Sequence, residues 1–168
     1  MKNQSTNKPQ SPTESKVIMT EIVLPGHTNA LGGIFGGVVM SWIDIAAAIA
    51  ASRHSGKICV TASVDELHFL KSIKKGYFVN IEAIVTYVHN TSCEVCVEVF
   101  AENPLKKEKF QTTRAFLTFV AIDENGQPTP MPPLDLKTPA EKKRAKAAKL
   151  RREHRKSLKK QLSTELTS

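Results

Sequence analysis

Apolar and polar positions change rhythm along this chain, and each change marks an element. Val17 to Leu24 is a short apolar run closed by Pro25-Gly26, which predicts a first strand and a turn. From Gly37 to about Arg53 nothing breaks a helix, and five of the last nine residues are alanine, the best helix former. At 1.5 Å per residue this is a helix roughly 25 Å long. Its apolar residues lie on every side, so it is expected to be buried on most faces.

Four stretches of period two follow, the signature of half-buried strands. Ile58–Leu70 places Ile58, Val60, Ala62 and Val64 on one face. Tyr77–His89 sets Val79, Ile81, Ala83, Val85 and Tyr87 against Asn80, Glu82 and Thr86. Ser92–Ala101 sets Cys93, Val95, Val97 and Val99 against Glu94 and Glu98, and Phe110–Ile122 is the last long strand. Four prolines at 128, 130, 132 and 133 make a stiff extended segment. Pro139 then opens a helix to about Leu162, with Thr138 as its N-cap. Sparse apolar positions there (Ala145, Ala148, Leu150, Leu158, Leu162) predict a solvated basic helix.

The elements add up to an α+β fold: a long central helix wrapped by a curved antiparallel sheet of about five strands, plus a basic C-terminal helix. Such a sheet covers three sides of the helix and leaves the fourth for a partner subunit or ligand. The expected organisation is a disordered tail over 1–15, a domain over 16–134, and a basic helix or tail over 135–168.

Charge is distributed unevenly. Twelve of the 24 Lys and Arg, but three of the 16 acidic residues, fall in 137–168, so that segment carries +9 and everything before it −1. A helix of this density can attract phosphates, whether of nucleic acid, anionic lipid or a coenzyme. It has no helix-turn-helix, stacking platform or base-reading motif. Cys93 and Cys96 form a C-x-x-C, but a spacing of three on a strand sends them to opposite faces, so both are read as packing residues. His54, His68 and His89 are scattered, and no metal or cofactor is expected. No apolar run reaches membrane-span length, and Met1–Lys16 lacks the apolar core of a leader, which points to the cytoplasm.

The chemistry concentrates between Asn29 and Asp44. Asp44 is a lone carboxylate in the middle of the apolar helix, a costly placement unless it is paired, hydrogen-bonded or wet. Either it caps or pairs with a neighbour, or it is an acid or base tuned by its site. The backbone N–H groups of Gly36 and Gly37, at the positive end of the helix, are natural oxyanion donors. Each such donor is worth on the order of 3–4 kcal/mol of barrier. Asn29 is either a turn cap or a hydrogen-bond partner for a water or a carbonyl.

Thr28–Gly37, Met40–Asp44, Arg53–Gly56 and Val60–Asp65, followed by Val85–Val88, Thr91-Ser92, Val97–Val99, Ala101–Asn103 and Leu117–Ala121, closely resemble the hotdog-fold acyl-CoA thioesterases over residues 18–134. The branch is that of the small bacterial acyl-CoA hydrolases related to the mammalian cytosolic and brain enzymes. The resemblance implies a sheet wrapped round the helix, a dimer with a continuous sheet, and often a trimer of dimers. It implies hydrolysis of acyl-CoA, with coenzyme A as part of the substrate and no separate cofactor. Asp44 and Asn29 match the catalytic residues, which the family brings together across a dimer interface. Coenzyme A contacts map to Ala62, Ser63 and Val64, to Thr91, Ser92 and Cys93, and to a basic residue of the last helix, Arg151 or Arg152. The chain departs from the family's pattern at His27, Ala30 and Tyr77. Asp44 is expected to act as general base, with attack by the carboxylate itself as the other route. Competing readings are a non-catalytic acyl-thioester sensor with a phosphate-binding tail, and a dehydratase acting on acyl carrier protein. The second would want a histidine beside the helix carboxylate.

Overall fold

The computed structural model describes residues 8–165. Five antiparallel strands, β1 (Val17–Ile22), β2 (Ile58–Phe69), β3 (Phe78–His89), β4 (Ser92–Asn103) and β5 (Glu108–Ile122), form one sheet in the order β1-β3-β4-β5-β2. The helix α1 (Gly36–Ser55) lies in its concave face, and α2 (Pro139–Glu165) lies on the convex one. This is the α+β arrangement of a sheet wrapped round one long helix that the sequence pattern predicts, and the hotdog fold that the resemblance implies.

The helix α1 begins where the Val38 and Val39 N–H groups both reach the Phe35 carbonyl. It ends at Gly56, whose left-handed backbone (φ 65°) directs its N–H back to the Ser52 carbonyl. Its buried side is mostly alanine: Ala46, Ala47, Ala50 and Ala51 have no solvent exposure, with Val39 and Ile43 beside them. Small side chains let the helix approach Val79, Ile81, Val95, Val97, Leu117 and Phe119 of the sheet closely, and larger ones there would overpack the core. Outside this buried side, Met40, Ile45 and Ile49 are all exposed. The expectation of burial on most faces therefore holds for the sheet side, and the fourth side is uncovered, with Ser41, Ile45 and Ile49 exposed along it.

Register corrects two of the face assignments. A bulge in β3 between Val85 and Tyr87 inserts Thr86, so Tyr87 comes to lie opposite Glu94 on the convex face instead of joining the core row. In β2, irregularities between Thr61 and Ser63 and between Val64 and Glu66 break the expected row. Ile58 and Val60 pair with Ile122 and Val120 on the convex side, whereas Cys59, Thr61 and Val64 pair with Ala121, Phe119 and Leu117 on the concave side. The strand's apolar alternation thus points away from the helix at first, and Thr61 points at it.

The last helix starts with a capping box. The Glu141 N–H donates to Thr138 Oγ1 (3.2 Å), and the Thr138 N–H donates to Glu141 Oε2 (2.8 Å). Its first half is docked rather than solvated, contrary to the sequence expectation. Ala145 and Ala148 are buried. The Arg151 guanidinium grips Glu94 at 2.8 and 2.9 Å and stacks 3.7 Å from the Phe116 ring centre, and Arg155 pairs with Asp65. A helix so rich in charge adheres because β2 and β4 present carboxylates on the convex face. Cys93 faces the core and Cys96 the opposite side, as their spacing requires; burial pushes both thiols up, Cys96 to about 11.

Residues 8–15 also depart from the expected disordered tail, of which residues 1–7 lie outside the described residues. Gln10 bonds through its N–H to the Pro133 carbonyl and through its own carbonyl to the Asp135 N–H, while Pro12 and Ser15 are buried. The proline-rich strap crosses the end of α1, where the fully buried His54 Nε2 lies 2.9 Å from the Pro132 carbonyl.

Candidate active site

Asp44 projects from the middle of α1, half-buried, on the side away from the core. No ion pair to it exists among the described residues; its partner is the Thr61 hydroxyl, which donates to Oδ1 at 2.7 Å. A carboxylate held this way by one oxygen keeps the other free to accept from a water. Nothing local in the sequence marks Thr61, because a threonine inside an apolar alternation reads as one more solvent-facing position.

Asn29 sits in the glycine loop. Its side-chain carbonyl accepts from the Leu31 and Gly33 N–H groups (2.9 and 3.3 Å), and its backbone N–H meets the Gly33 carbonyl at 2.8 Å. The turn-cap reading is therefore satisfied by Oδ1. With that oxygen engaged, Nδ2 is the end left to act, and it can only donate. Asn29 can hydrogen-bond a carbonyl or an oxyanion through Nδ2, but Oδ1 is not available to take a proton from water.

Gly36 and Gly37 occupy the first two helical positions, before the first intrahelical donors, Val38 and Val39. A side chain on Gly37 would meet nothing within 4 Å, so its surroundings are open. A side chain on Gly36 would lie 3.2 Å from the Phe69 ring, so glycine is what allows that ring to rest against the helix start. Beside these amides, Ile34, Val39, Phe69, Leu70 and Ile73 line a cleft of about 340 Å³.

The residues matched to coenzyme A contacts gather partly. Ser92, Cys93 and Arg152 share a shallow cleft with His89 and Arg155 on the convex side. Ser63 donates to Asp65, the partner of Arg155, which places the β2 bulge beside the same cluster. Ala62 and Val64 flank Ser63 on β2, with Thr91 in the β3–β4 turn. Partial desolvation, then the charges of Arg152 and Lys156, hold His89 below the usual imidazole value, a mark of positive potential there. Arg151 is not part of this cluster, since its charge is taken up by Glu94. Arg155 and Asp65 were missed in the sequence because nothing local links positions on two distant elements. No metal-ligating group of three or more His, Cys, Asp or Glu exists among the described residues.

A long helix cradled in a five-stranded antiparallel sheet defines a protein of the hotdog fold. The thioesterase superfamily pattern matches residues 31–108. An uncharacterized acyl-CoA thioester hydrolase of Bacillus subtilis is 45% identical over 119 residues, covering 71% of this chain and 69% of that protein. Among solved structures, an apo-hexameric acyl-CoA thioesterase is 41% identical, covering 89% of this chain and 96% of its own, at a TM-score of 0.86. The Staphylococcus aureus acyl-CoA hydrolase, solved with butyryl coenzyme A, coenzyme A and coenzyme A disulfide, is 35% identical over 95% of this chain and 99% of its own, at 0.85. The same enzyme has been solved with an aspartate, an asparagine and a threonine each changed to alanine. The chain belongs to the thioesterase superfamily, in its acyl-CoA hydrolase branch.

Proposed function

We propose that this enzyme hydrolyses acyl-CoA to a free fatty acid and coenzyme A at sites shared between two copies of the chain. Asp44 of one protomer activates the water, while Asn29 and the Gly36 and Gly37 amides of the other polarise the thioester carbonyl. The supporting observation is a distance. Asp44 and Gly36 are eight positions apart on one straight helix, about 12 Å along its axis. A base and an oxyanion donor acting on the same carbonyl must each come within roughly 3 Å of it or its water. One chain cannot supply both to one thioester.

A second copy can. β2 is a free edge strand with exposed apolar groups on both faces, Ile58 (by 68%) and Val60 on the convex one and Val64 on the concave one, and on α1 Met40 is exposed one turn from Asp44. Edge-to-edge pairing of β2 with its counterpart covers this surface and sets two α1 helices side by side across a dyad. The hexameric relative supports three such dimers in the full assembly. The three positions replaced in the Staphylococcus aureus enzyme are each numbered one below Asn29, Asp44 and Thr61, which keeps their spacing. Three free cysteines are in keeping with a cytoplasmic enzyme.

In the reaction, Asp44 takes a proton from water as the oxygen attacks the carbonyl carbon. The amides carry the oxyanion, the carbon–sulfur bond breaks, and the thiolate of coenzyme A takes the proton back from Asp44. The cluster of Ser92, Arg152 and Ser63 offers phosphate and hydroxyl contacts for the coenzyme. The test is complementation. Asn29→Ala and Asp44→Ala protomers, inactive alone, are mixed and exchanged. Random reassociation makes half the dimers mixed, each with one intact site, so about a quarter of wild-type thiol release returns. Exchange proven by mass with no recovery would place both residues in one chain's site and overturn the proposal.

A further inference from the structure

We infer that the cleft between the first turn of α1 and the Phe69–Ile73 segment receives the acyl chain, and that the Phe69 ring decides how long an acyl group it takes. The inference rests on the hydrolase reading above and adds a substrate class: straight-chain acyl groups of short to medium length. The cleft opens beside Gly36, whose N–H is aimed at the carbonyl in that reading, so a chain leaving the carbonyl carbon enters it directly. Its floor is apolar and fixed, with Val39 unexposed and Ile73 nearly so. Polar groups are confined to Lys71 and Ser72, and the Lys71 ammonium is turned over the Phe110 ring at 5.2 Å. An apolar floor with a few polar groups is the usual anatomy of a ligand cleft, and about 340 Å³ is the low end of such sites. That volume suits an acyl chain and excludes the coenzyme.

Phe69 is the part of the wall that reaches the helix start. It is half-exposed, although it is among the largest apolar side chains of β2, and its ring lies 3.2 Å from where a Gly36 Cβ would be. Two backbone features hold the surrounding segment. The Leu70 N–H donates to the Thr112 carbonyl, and the Ile73 carbonyl accepts from the Ile34 N–H, so the strand end and the helix-entry loop are held by backbone bonds in which the ring takes no part. Shortening the ring's side chain therefore enlarges the cleft without releasing its frame.

The experiment compares thiol release from acyl-CoAs of two to sixteen carbons by wild type, Phe69→Leu, Phe69→Ala and Phe69→Trp, with Asp44→Ala alongside. Phe69→Ala is expected to raise the ratio of kcat/KM for dodecanoyl- over butyryl-CoA at least tenfold, the factor that two further buried methylenes supply. Phe69→Leu should fall between, and Phe69→Trp should shift the ratio the other way. Circular dichroism of each variant reports its fold. An unchanged ratio in folded variants, with Asp44→Ala inactive, overturns this inference alone. Wild type that releases no thiol from any acyl-CoA overturns the hydrolase reading instead.

Discussion

Thr61 and Asp44, seventeen positions apart, are joined by a 2.7 Å hydrogen bond between the edge strand and the central helix. The bond fixes one carboxylate oxygen and leaves the other toward the uncovered side, where a partner and a substrate would come. It exists because Thr61 pairs with Phe119 and so points inward, while its neighbour Val60 points out. A strand half-buried in the ordinary sense would have done the reverse.

Replacing Asp44 by Asn keeps the size and the Thr61 contact but removes the proposed base. General bases contribute roughly 10²- to 10⁴-fold, so kcat for acyl-CoA should fall by at least about a hundredfold in a protein with an unchanged thermal transition. Near wild-type thiol release by folded Asp44→Asn or Asp44→Ala would remove this residue from the mechanism.

In the proposed mechanism Thr61 acts through Asp44, as a positioning residue. A hydrogen bond to a charged group is worth roughly 1.5–3 kcal/mol. Thr61→Val should therefore lower kcat some 10- to 100-fold with little change in KM, and Thr61→Ser should recover most of it. Equal loss in both variants would mean that packing of the methyl group, and not the hydroxyl, is what matters.

Arg151 and Arg152 adjoin in sequence and differ in task. Glu94 is buried, its side chain only 6% exposed, and it depends on Arg151 and on the Thr86 hydroxyl at 2.7 Å. Arg151→Met strands that carboxylate and should cost about 3 kcal/mol in urea unfolding, whereas Arg151→Met with Glu94→Leu should be close to neutral. Arg152→Ala should leave stability alone and raise KM for acyl-CoA roughly tenfold, the equivalent of about 1.5 kcal/mol in a phosphate contact. A KM unaffected by Arg152→Ala removes it from coenzyme binding.

His54 makes stability depend on pH. Burial holds its imidazole below the ordinary 6.5, with the Pro132 carbonyl pulling back in part. Below 6.5 the unfolded chain binds a proton that the native chain refuses. Stability is thus full above about pH 6.5 and declines as pH falls toward the lowered native value, by at most about 1.4 kcal/mol per pH unit. His54→Gln keeps a donor for Pro132 and does not titrate. Urea midpoints of the two proteins should converge on acidification if wild type is the more stable at neutral pH, and parallel curves would discard the idea.

The order of elements, their lengths to within a few residues, the Thr138 cap and the opposite faces of Cys93 and Cys96 were all legible in the sequence, because period, caps and turn residues are local properties of the chain. Asn29, Asp44 and the two glycines stand out in the sequence as unusual residue types in an otherwise apolar run, which is why they are the candidates. Tertiary structure alone decided that Thr61 faces the helix, that Tyr87 leaves the core row, that Arg151 is neutralised by Glu94 while Arg152 is not, and that Phe69 lies on Gly36. Each depends on a strand's register or on two elements distant in the chain coming into contact. A single bulge reverses every later side chain on its strand, and no local pattern of apolar and polar residues records where that residue is inserted.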